Sequence, residues 1–524
     1  MGTYINIGNE AFRKSRNSEY VDKSGLIAVV NKTLFTEFNL SCVSRCRRFG
    51  KSMAAKMLAA YYDKSVDSRE LFADLQIAND PSFEEHLNKY RVIYLDMSEF
   101  VTRFHNDDVV RQLDDELKAD IIKAYPDMQH EPTYDMMGSL LNITEATGEK
   151  FMFIIDEWDA ICREFKSDTK AFDDYVNWLR RMFKGISATR VFAGVYMTGI
   201  LPIKRYNTQS ALNNFIEYSM IEPGNMAEFF GFTRNEAMAL AEKYGMDFDE
   251  LVKWYDGYQI GDEPSMFNPN SVMQALQRGR CRSFWATTGA YDLVSSFISM
   301  NYEGLKDDII KMLADGRCKV NTTKFQNDMS IIRSKDDVFT VLIHLGYLGY
   351  DWKRDECYIP NYEVSIEMRN AIEANNWKNV IDAVTASEDL LQAVLDGDEG
   401  AVASGVEAVH DDNTSILSYN NENSLASVLT LAFYSARNNY VIHREYATGK
   451  GFADLVLIPR MNVDSPAIVI ELKYNKDADS AIDQIMRKQY PAKVKEYTDN
   501  LLLVGINYDK ETKTHSCKIE NLVN

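Results

Sequence analysis

Two acidic residues inside strongly apolar strands near the end of the chain constrain its fold more than any other feature. Asp454 lies in the run ADLVLIP and Glu471 in the run AIVIELKY. Period-2 apolar runs bounded by turn residues predict three short strands, at 440–446, 452–458 and 467–473, with a hairpin between the last two. Because side chains alternate along a strand, Glu471 and Lys473 face the same side and can meet Asp454.

This trio predicts a metal-dependent site for phosphodiester cleavage. Carboxylate oxygens are the ligands that Mg²⁺ prefers, and the bound ion polarises a phosphodiester and lowers the pKa of its water. Lys473 would position that water or neutralise developing charge. The alternative is a surface hairpin with solvated charges, but unpaired charges are costly inside apolar strands unless they serve a site. We therefore expect Asp454 and Glu471 to hold Mg²⁺.

Length and composition bound the class of protein. A chain of 524 residues predicts two to four domains. The formal net charge of -20 argues against a protein that coats nucleic acid non-specifically. No apolar run approaches the ~20 residues that a membrane span needs, and the first residues do not resemble a signal, so we expect a cytoplasmic protein without a membrane partner. The seven scattered cysteines suggest neither a disulfide framework nor a zinc site.

Apolar runs alternate with helical patterns in the first part of the chain, which predicts a parallel α/β sheet. The strands are expected at 38–44, 92–97, 151–156 and 190–198. We assign residues 1–225 to this core, 226–364 to a helical lid with a winged-helix-like module, 365–412 to a helical connector, and 413–524 to a second α/β domain that carries the acid pair.

A phosphate loop is predicted between the first strand and the helix that follows it. Backbone N–H groups near the helix start would bind phosphate, Lys51 would reach the β and γ phosphates, and Ser52 would hold Mg²⁺. Arg45 stands where the full pattern has its first glycine, so the tripeptide alone also fits an ordinary turn before a helix. The expected nucleotide-binding residues are Arg47, Arg48, Phe49, Gly50, Lys51 and Ser52.

Two further predicted strands end in polar residues, and we expect these ends at the same edge of the sheet as the phosphate loop. The run FMFIID ends in Asp156 and Glu157, as in a Walker B motif. Asp156 would bind Mg²⁺, Glu157 would orient or deprotonate the attacking water, and Thr198 would sense the γ-phosphate. Ligands of open parallel sheets bind at the carboxyl ends of the strands. The alternative for Asp156 and Glu157 is a buried strand that simply meets solvent there.

The motifs RRFGKS, IIDEWD, MTGILPIKRYNTQSALNNF, WYDGY with FNP, and HLGYLGYD resemble the bacterial AAA-ATPase-like family, over nearly the whole chain. The C-terminal part resembles the PD-(D/E)XK nuclease domain often fused to it. This resemblance implies that an arginine-rich loop replaces the first glycine and that Glu422 and Gln484 join the nuclease site. Phosphoryl transfer often needs a positive group near the γ-phosphate, and the candidates are Arg47, Arg48 and Arg205, with Arg205 preferred. The alternative for each arginine is a solvated charge or an ion pair. Cys46 departs from the family, in which proline is frequent.

We therefore predict an ATP- and Mg²⁺-using enzyme whose nucleotide state regulates a nuclease domain that acts on nucleic acid, with DNA favoured over RNA. A homo-oligomer through the ATPase domain is a further hypothesis, and the residues leave the oligomeric state open. The competing hypothesis is a non-catalytic, nucleotide-switched module that binds nucleic acid or protein. The residues leave the choice between DNA and RNA open.

Overall fold

The computed structural model describes most of the chain, in two compact units. The described residues are 2–104, 108–128, 134–164, 169–203, 212–285, 296–297, 299–300, 302–313, 316–325, 332–374, 378–413, 433, 436, 439–448, 451–460, 465–488 and 500–523. The N-terminal unit comprises Met1–Thr288 and Lys319–Glu367, and the C-terminal unit comprises Gly289–Cys318 and Met368–Asn524. Within these ranges, no helix has the length and apolar content of a membrane span.

The strands form two five-stranded and two three-stranded sheets in the described part of the chain. In chain order they are β1 (Leu40–Ser44), β2 (Arg91–Asp96), β3 (Phe151–Asp156), β4 (Phe192–Gly199), β5 (Ile216–Tyr218), β6 (Phe232–Thr233), β7 (Tyr258–Ile260), β8 (Glu263–Phe267), β9 (Cys318–Lys319), β10 (Gly349–Asp351), β11 (Glu356–Tyr358), β12 (Tyr440–Thr448), β13 (Gly451–Pro459), β14 (Ala467–Tyr474), β15 (Asn500–Asp509) and β16 (Thr514–Val523).

The α-helices alternate with these strands. In chain order they are α1 (Glu10–Arg16), α2 (Gly25–Asn31), α3 (Lys51–Tyr62), α4 (Arg69–Phe72), α5 (Phe83–His86), α6 (Met97–Arg103), α7 (Val109–Ala124), α8 (Met136–Thr147), α9 (Ala160–Glu164), α10 (Thr169–Phe183), α11 (Ile186–Val191), α12 (Arg234–Tyr244), α13 (Phe248–Tyr255), α14 (Pro269–Arg278), α15 (Leu305–Leu313), α16 (Lys335–Leu345), α17 (Tyr362–Ala374), α18 (Lys378–Asp396), α19 (Glu399–Asn413) and α20 (Ala478–Arg487). Short 3₁₀ helices occur at Gln76–Asn79 and Gly224–Phe229.

The N-terminal unit is built on a parallel sheet with strand order β2-β3-β4-β1-β5. Strands β1, β3 and β4 are buried along their whole length, as expected for a parallel sheet covered by helices. After the sheet come α12 to α14 with the small sheet β6-β8-β7, and later α16 followed by the β10-β11 hairpin. The predicted parallel α/β core is confirmed.

The C-terminal unit is built on a mixed sheet with order β12-β13-β14-β15-β16, in which only β14 and β15 are parallel. Residues 455–458 of β13 alternate between two cores, as the period of a strand requires. One core contains α18 and α19 side chains and the other contains α20 side chains. The second α/β domain is therefore confirmed, with helices on both faces of its sheet.

Several predicted elements have other bounds or contacts in the structure. The strand predicted at 190–198 begins at Phe192, because residues 186–191 form α11. The segment 365–412, predicted as a connector, contributes α18 and α19, which lie in the same compact unit as the C-terminal sheet. Our domain boundaries otherwise stay predictions. Glu422 and Arg205 lie outside the described residues.

Candidate active sites

The predicted phosphate loop runs from the end of β1 to the start of α3. Gly50 has φ 90°, a left-handed conformation that favours glycine, and α3 begins at Lys51. The Lys51 side chain is buried, and its Nζ donates to the carbonyl of Cys46 at 3.0 Å. The N-cap residue Gly50 has no side chain that could cap the first turn of α3. The N–H groups at this helix start therefore suit an anion.

Arg45, which replaces the first glycine of the full pattern, is a buried structural residue. Its guanidinium donates to the carbonyl oxygens of Ser44 at 3.0 Å, Tyr218 at 2.8 Å and Met226 at 3.4 Å. It also lies 5.4 Å from the centre of the Phe230 ring. Burial lowers the pKa of Arg45 to about 10. The side chain joins the end of β1 to β5 and to the segment that follows β5.

The next part of the loop is held by residues of the segment 231–284. Arg48 has φ 68°, and its guanidinium donates to the carbonyl of Phe284 at 3.0 Å. The carbonyl of Phe49 accepts from the N–H of Gly231 at 3.1 Å, and its ring packs against Tyr258 edge to face at 5.2 Å. Contacts from distant segments thus fix a loop that in the full pattern relies on a glycine.

Asp156 ends β3 as a buried acid with an incomplete set of partners. The hydroxyl of Tyr94 donates to Oδ2 at 3.3 Å, whereas Oδ1 has no hydrogen-bond partner within the described part of the chain. Burial raises the pKa of Asp156 to about 6, the Glu157 charge adds to this, and a hydrogen bond from Ser52 opposes it. A buried carboxylate oxygen left over beside a serine hydroxyl fits a Mg²⁺ site.

Glu157 is held by an arginine that the sequence reasoning missed. It has φ 53° and forms an ion pair with Arg163 in α9. Arg163 Nε also lies 3.3 Å from Oδ2 of the buried Asp159, which accepts from the N–H of Leu201 at 3.0 Å. Burial and the nearby Arg163 charge lower the pKa of Arg47. The only sequence signal for Arg163 was its position in the helix directly after the acid pair.

Thr198 lies near the end of β4, beside β1. Its side chain is buried, and its hydroxyl donates to the carbonyl of Val43 at 3.1 Å. This contact ties β4 to β1 and gives the hydroxyl a structural role in the described chain. The roles of Thr198 and Arg205 in sensing γ-phosphate stay predictions.

A cavity of about 410 Å³ opens beside the phosphate loop, within the size range of ligand sites. Its polar end contains Gly50, Lys51, Ser52 and Glu157. The remaining wall is largely apolar, and a purine base with its sugar would contact it. The apolar side chains of this wall include Tyr20, Val21, Met53, Met57, Phe229, Phe232 and Met273.

The predicted acid pair of the C-terminal unit meets across the β13-β14 hairpin. Leu455 pairs with Ile470 in the antiparallel register, so Asp454 and Glu471 each lie one residue beyond that pair. Oδ2 of Asp454 accepts from the N–H of Leu472 at 2.8 Å. The charge of Asp454 raises the pKa of Glu471. The two acids therefore share one site.

Glu471 is buried and uses only one of its oxygens in hydrogen bonds to described residues. Lys473 Nζ donates to Oε1 at 2.9 Å, and Gln484 Nε2 of α20 donates to the same atom. Oε2 is buried and has no such partner. Burial raises the pKa of Glu471 to about 7, with Asp454 adding to the shift and Lys473 opposing it.

These groups suit a hard divalent cation. Mg²⁺ is usually held by one or two carboxylates and keeps several waters, so two acids suffice. The described residues contain no group of three or more His, Cys, Asp or Glu side chains placed to bind a metal. The structure brings together Asp454, Glu471, Lys473 and Gln484, whereas Glu422 lies outside the described residues.

A parallel α/β unit whose first strand leads through a loop into a helix, followed by a mixed sheet with an acid pair, is the architecture of a P-loop-type domain with a nuclease-type domain. Residues 6–208 match the family described as "Predicted AAA-ATPase", and residues 420–517 match the PD-(D/E)XK nuclease superfamily. The chain therefore contains an AAA-ATPase-like domain and a C-terminal PD-(D/E)XK superfamily domain, as the motifs predicted.

Similar proteins add little about activity. The "Uncharacterized protein in vnfD 5'region" of Azotobacter chroococcum mcd 1 is 23% identical over 290 residues, which is 54% of this chain and 54% of that protein. The match thus spans about half the length of this relative.

Two solved structures are similar at low levels. Cdc6p from Pyrobaculum aerophilum has 10% identity and a TM-score of 0.26, and the alignment covers 67% of this chain and 93% of that one. The Aeropyrum pernix ORC2 protein has 12% identity and a TM-score of 0.34, with 71% and 98% covered. Such low TM-scores carry no argument about function.

Proposed function

We propose that the N-terminal unit binds and hydrolyses ATP, and that its nucleotide state regulates Mg²⁺-dependent cleavage of nucleic acid, DNA rather than RNA, by the C-terminal unit. The observation that carries the nuclease part is Glu471, a buried acid that faces Asp454 and keeps one oxygen without a partner among described residues. A buried carboxylate costs free energy, and binding a cation is the simplest use that offsets this cost.

At the nuclease site, Lys473 and Gln484 both donate to Oε1 of Glu471, which leaves Oε2 for the cation. Asp454 is fixed by the backbone N–H of Leu472 and supplies the second carboxylate. Mg²⁺ bound there would polarise the scissile phosphate and acidify a water. The ammonium of Lys473 is already at the site and would donate to the attacking water or to a phosphate oxygen.

At the ATP site, Lys51 donates to the Cys46 carbonyl and would exchange that neutral acceptor for phosphate oxygens. Ser52 and Asp156 are adjacent and would hold Mg²⁺. Glu157 would orient the attacking water, and Arg163 would fix the direction of its carboxylate. The apolar cavity wall would receive the base.

The nuclease is tested with labelled single- and double-stranded DNA and RNA, with and without Mg²⁺ and ATP. Glu471→Gln should reduce cleavage by more than about 100-fold, since loss of even an outer-shell partner of a metal ligand costs about 10- to 100-fold. Asp483→Asn is the matched control, because Asp483 is exposed in α20, beside Gln484, and loses the same charge. Equal cleavage by the two variants would remove Glu471 from the site. Binding of DNA without cleavage by the wild-type protein would favour the non-catalytic module.

The ATP site is tested separately. Lys51→Ala should abolish ATP hydrolysis and the effect of ATP on cleavage, whereas Glu471→Gln should leave hydrolysis intact. Lys56→Ala is the control, since Lys56 lies on the same helix and does not line the cavity. ATP binding by Lys51→Ala at wild-type affinity would refute the assignment of this loop.

A further inference from the structure

Glu363, a buried acid behind the nucleotide cavity, connects two cavity walls to one long helix. It lies in the first turn of α17 and is fully buried. Its Oε1 accepts from the N–H of Phe284 at 2.6 Å and from the hydroxyl of Ser271 at 3.1 Å. Both partners come from segments distant in sequence, so this acid joins three separate parts of the N-terminal unit.

Each partner of Glu363 leads directly to the cavity. The carbonyl of Phe284 accepts from Arg48 of the phosphate loop at 3.0 Å. Ser271 lies in the first turn of α14, and its neighbours Pro269 and Asn270 line the cavity. Phe284 is thus the single residue between Arg48 and Glu363. On the other side, the first turn of α14 connects Glu363 to the cavity wall.

Stability does not explain an acid at this position. Oε2 of Glu363 is buried and has no hydrogen-bond partner among the residues described. Burial raises the pKa of Glu363 to about 7, and the charge of Glu367, one turn further along α17, adds to the shift. A buried carboxyl that lacks a full set of partners destabilises the fold relative to an apolar side chain.

Helix α17 itself leads out of the N-terminal unit. Its residues up to Glu367 belong to that unit, and its residues from Met368 onward belong to the C-terminal unit. A helix transmits displacement along its axis because its backbone hydrogen bonds make it rigid. Glu363 therefore lies in the first turn of a helix that continues past this boundary.

We propose that Glu363 is the positioning residue through which nucleotide bound at the phosphate loop changes the local stability of helix α17, as measured by the hydrogen exchange of its backbone. A phosphate oxygen is an ionised acceptor and competes with the neutral Phe284 carbonyl for the Arg48 guanidinium, since charge-assisted hydrogen bonds are about twice as strong. ATP therefore has the differential contact that any shift of equilibrium requires. The proposal rests on the proposed ATP site but not on the nuclease activity.

Hydrogen exchange of residues 362–374 in the full chain, with and without ATP and Mg²⁺, tests this role. In the wild-type protein, ATP should change exchange in α17 by about fivefold or more, the lower range of allosteric couplings. Glu363→Ala should abolish the change. Glu363→Gln should keep it, because the amide oxygen still accepts from Phe284 and Ser271. Glu367→Ala is the control, since Glu367 is also buried in α17 but accepts from Ser283.

The outcomes separate the two proposals. Failure of the wild-type protein to bind ATP would remove the proposed function and this inference together. ATP binding without a change in α17, or a wild-type response in Glu363→Ala, would overturn the inference alone. If Glu363→Ala does not fold, Ser271→Ala decides, because it removes the hydrogen bond from the Ser271 hydroxyl and should weaken the response; an undiminished response would count against the proposal.

Discussion

Binding of Mg²⁺ at the C-terminal acid pair should release protons from Glu471 in an amount that pH sets. Burial raises the pKa of Glu471 from 4.5 to about 7. A metal ligand must be ionised, so the cation displaces whatever proton the site carries. For a pKa near 7, the site carries about 0.9 proton at pH 6, about 0.5 at pH 7 and about 0.1 at pH 8. These are the expected proton releases per cation.

The same shift fixes the sign of the pH effects. The folded, metal-free protein holds the Glu471 proton between pH 4.5 and about 7, so its stability falls as pH rises through that window. Mg²⁺ binds only the ionised form, and its apparent affinity should therefore fall about tenfold per pH unit below pH 7.

Calorimetric titration with Mg²⁺ in two buffers of different ionisation enthalpy measures the released protons at pH 6, 7 and 8. The titration uses the Asp156→Asn background, so that the predicted cation site of the N-terminal unit does not contribute. Glu471→Gln should abolish the proton release, and Asp483→Asn should preserve it. Tight binding at pH 6 without proton release would show that Glu471 is already ionised, and the reasoning from its burial would be refuted.

Three further predictions concern stability and nucleotide binding. Gly50→Ala adds a methyl with nothing within 4 Å but at φ 90°. The free loop should relax to relieve about 1–2 kcal/mol of strain, and ATP binding, which requires the strained conformation, should weaken about tenfold; unchanged affinity in a binding titration would contradict this. Arg45→Gly restores the usual first glycine yet should lower the free energy of unfolding by about 2–3 kcal/mol, which an unchanged urea midpoint would refute. Burial raises the pKa of Glu363 from 4.5 to about 7. As pH rises from 4.5 to 7, the free energy of unfolding of the wild-type protein should therefore fall by up to about 3 kcal/mol relative to that of Glu363→Gln. A difference in unfolding free energy that does not depend on pH would rule this out.

Local patterns were sufficient for the elements that place the two sites. The strand predicted at 151–156 has the bounds of β3, because a continuous apolar run that ends in acids is the pattern of a buried parallel strand. Helix α12 begins with a capping box between Thr233 and Glu236, a start signal that the local sequence carries. Alternation along β14 correctly placed Glu471 and Lys473 together.

Side chains whose partners are distant in sequence could not be predicted. Arg45 donates to Tyr218, 173 residues away, and Glu363 accepts from Phe284, 79 residues away. No local sequence pattern identifies such pairs. The sequence alone also does not distinguish a buried acid or arginine from a solvent-exposed one. Helices α18 and α19 were similarly read as a polar connector, because their apolar face is recognised only when the sheet that covers it is known.

Each of the two predicted cation sites contains a buried acid with a raised pKa, but the sites differ in which groups offset the charge of that acid. Asp156 and Glu471 are both buried near a strand end, and a second acid raises the pKa of each. At the nuclease site, Lys473 bonds directly to Glu471, so part of the cost of burial is offset without a cation. At the proposed ATP site, Lys51 donates to a backbone carbonyl, and the donors to Asp156 among the described residues are neutral hydroxyls. Loading of the ATP site should therefore depend more strongly on nucleotide and Mg²⁺ arriving together, since the nucleotide gives Lys51 an anionic partner while the cation neutralises Asp156.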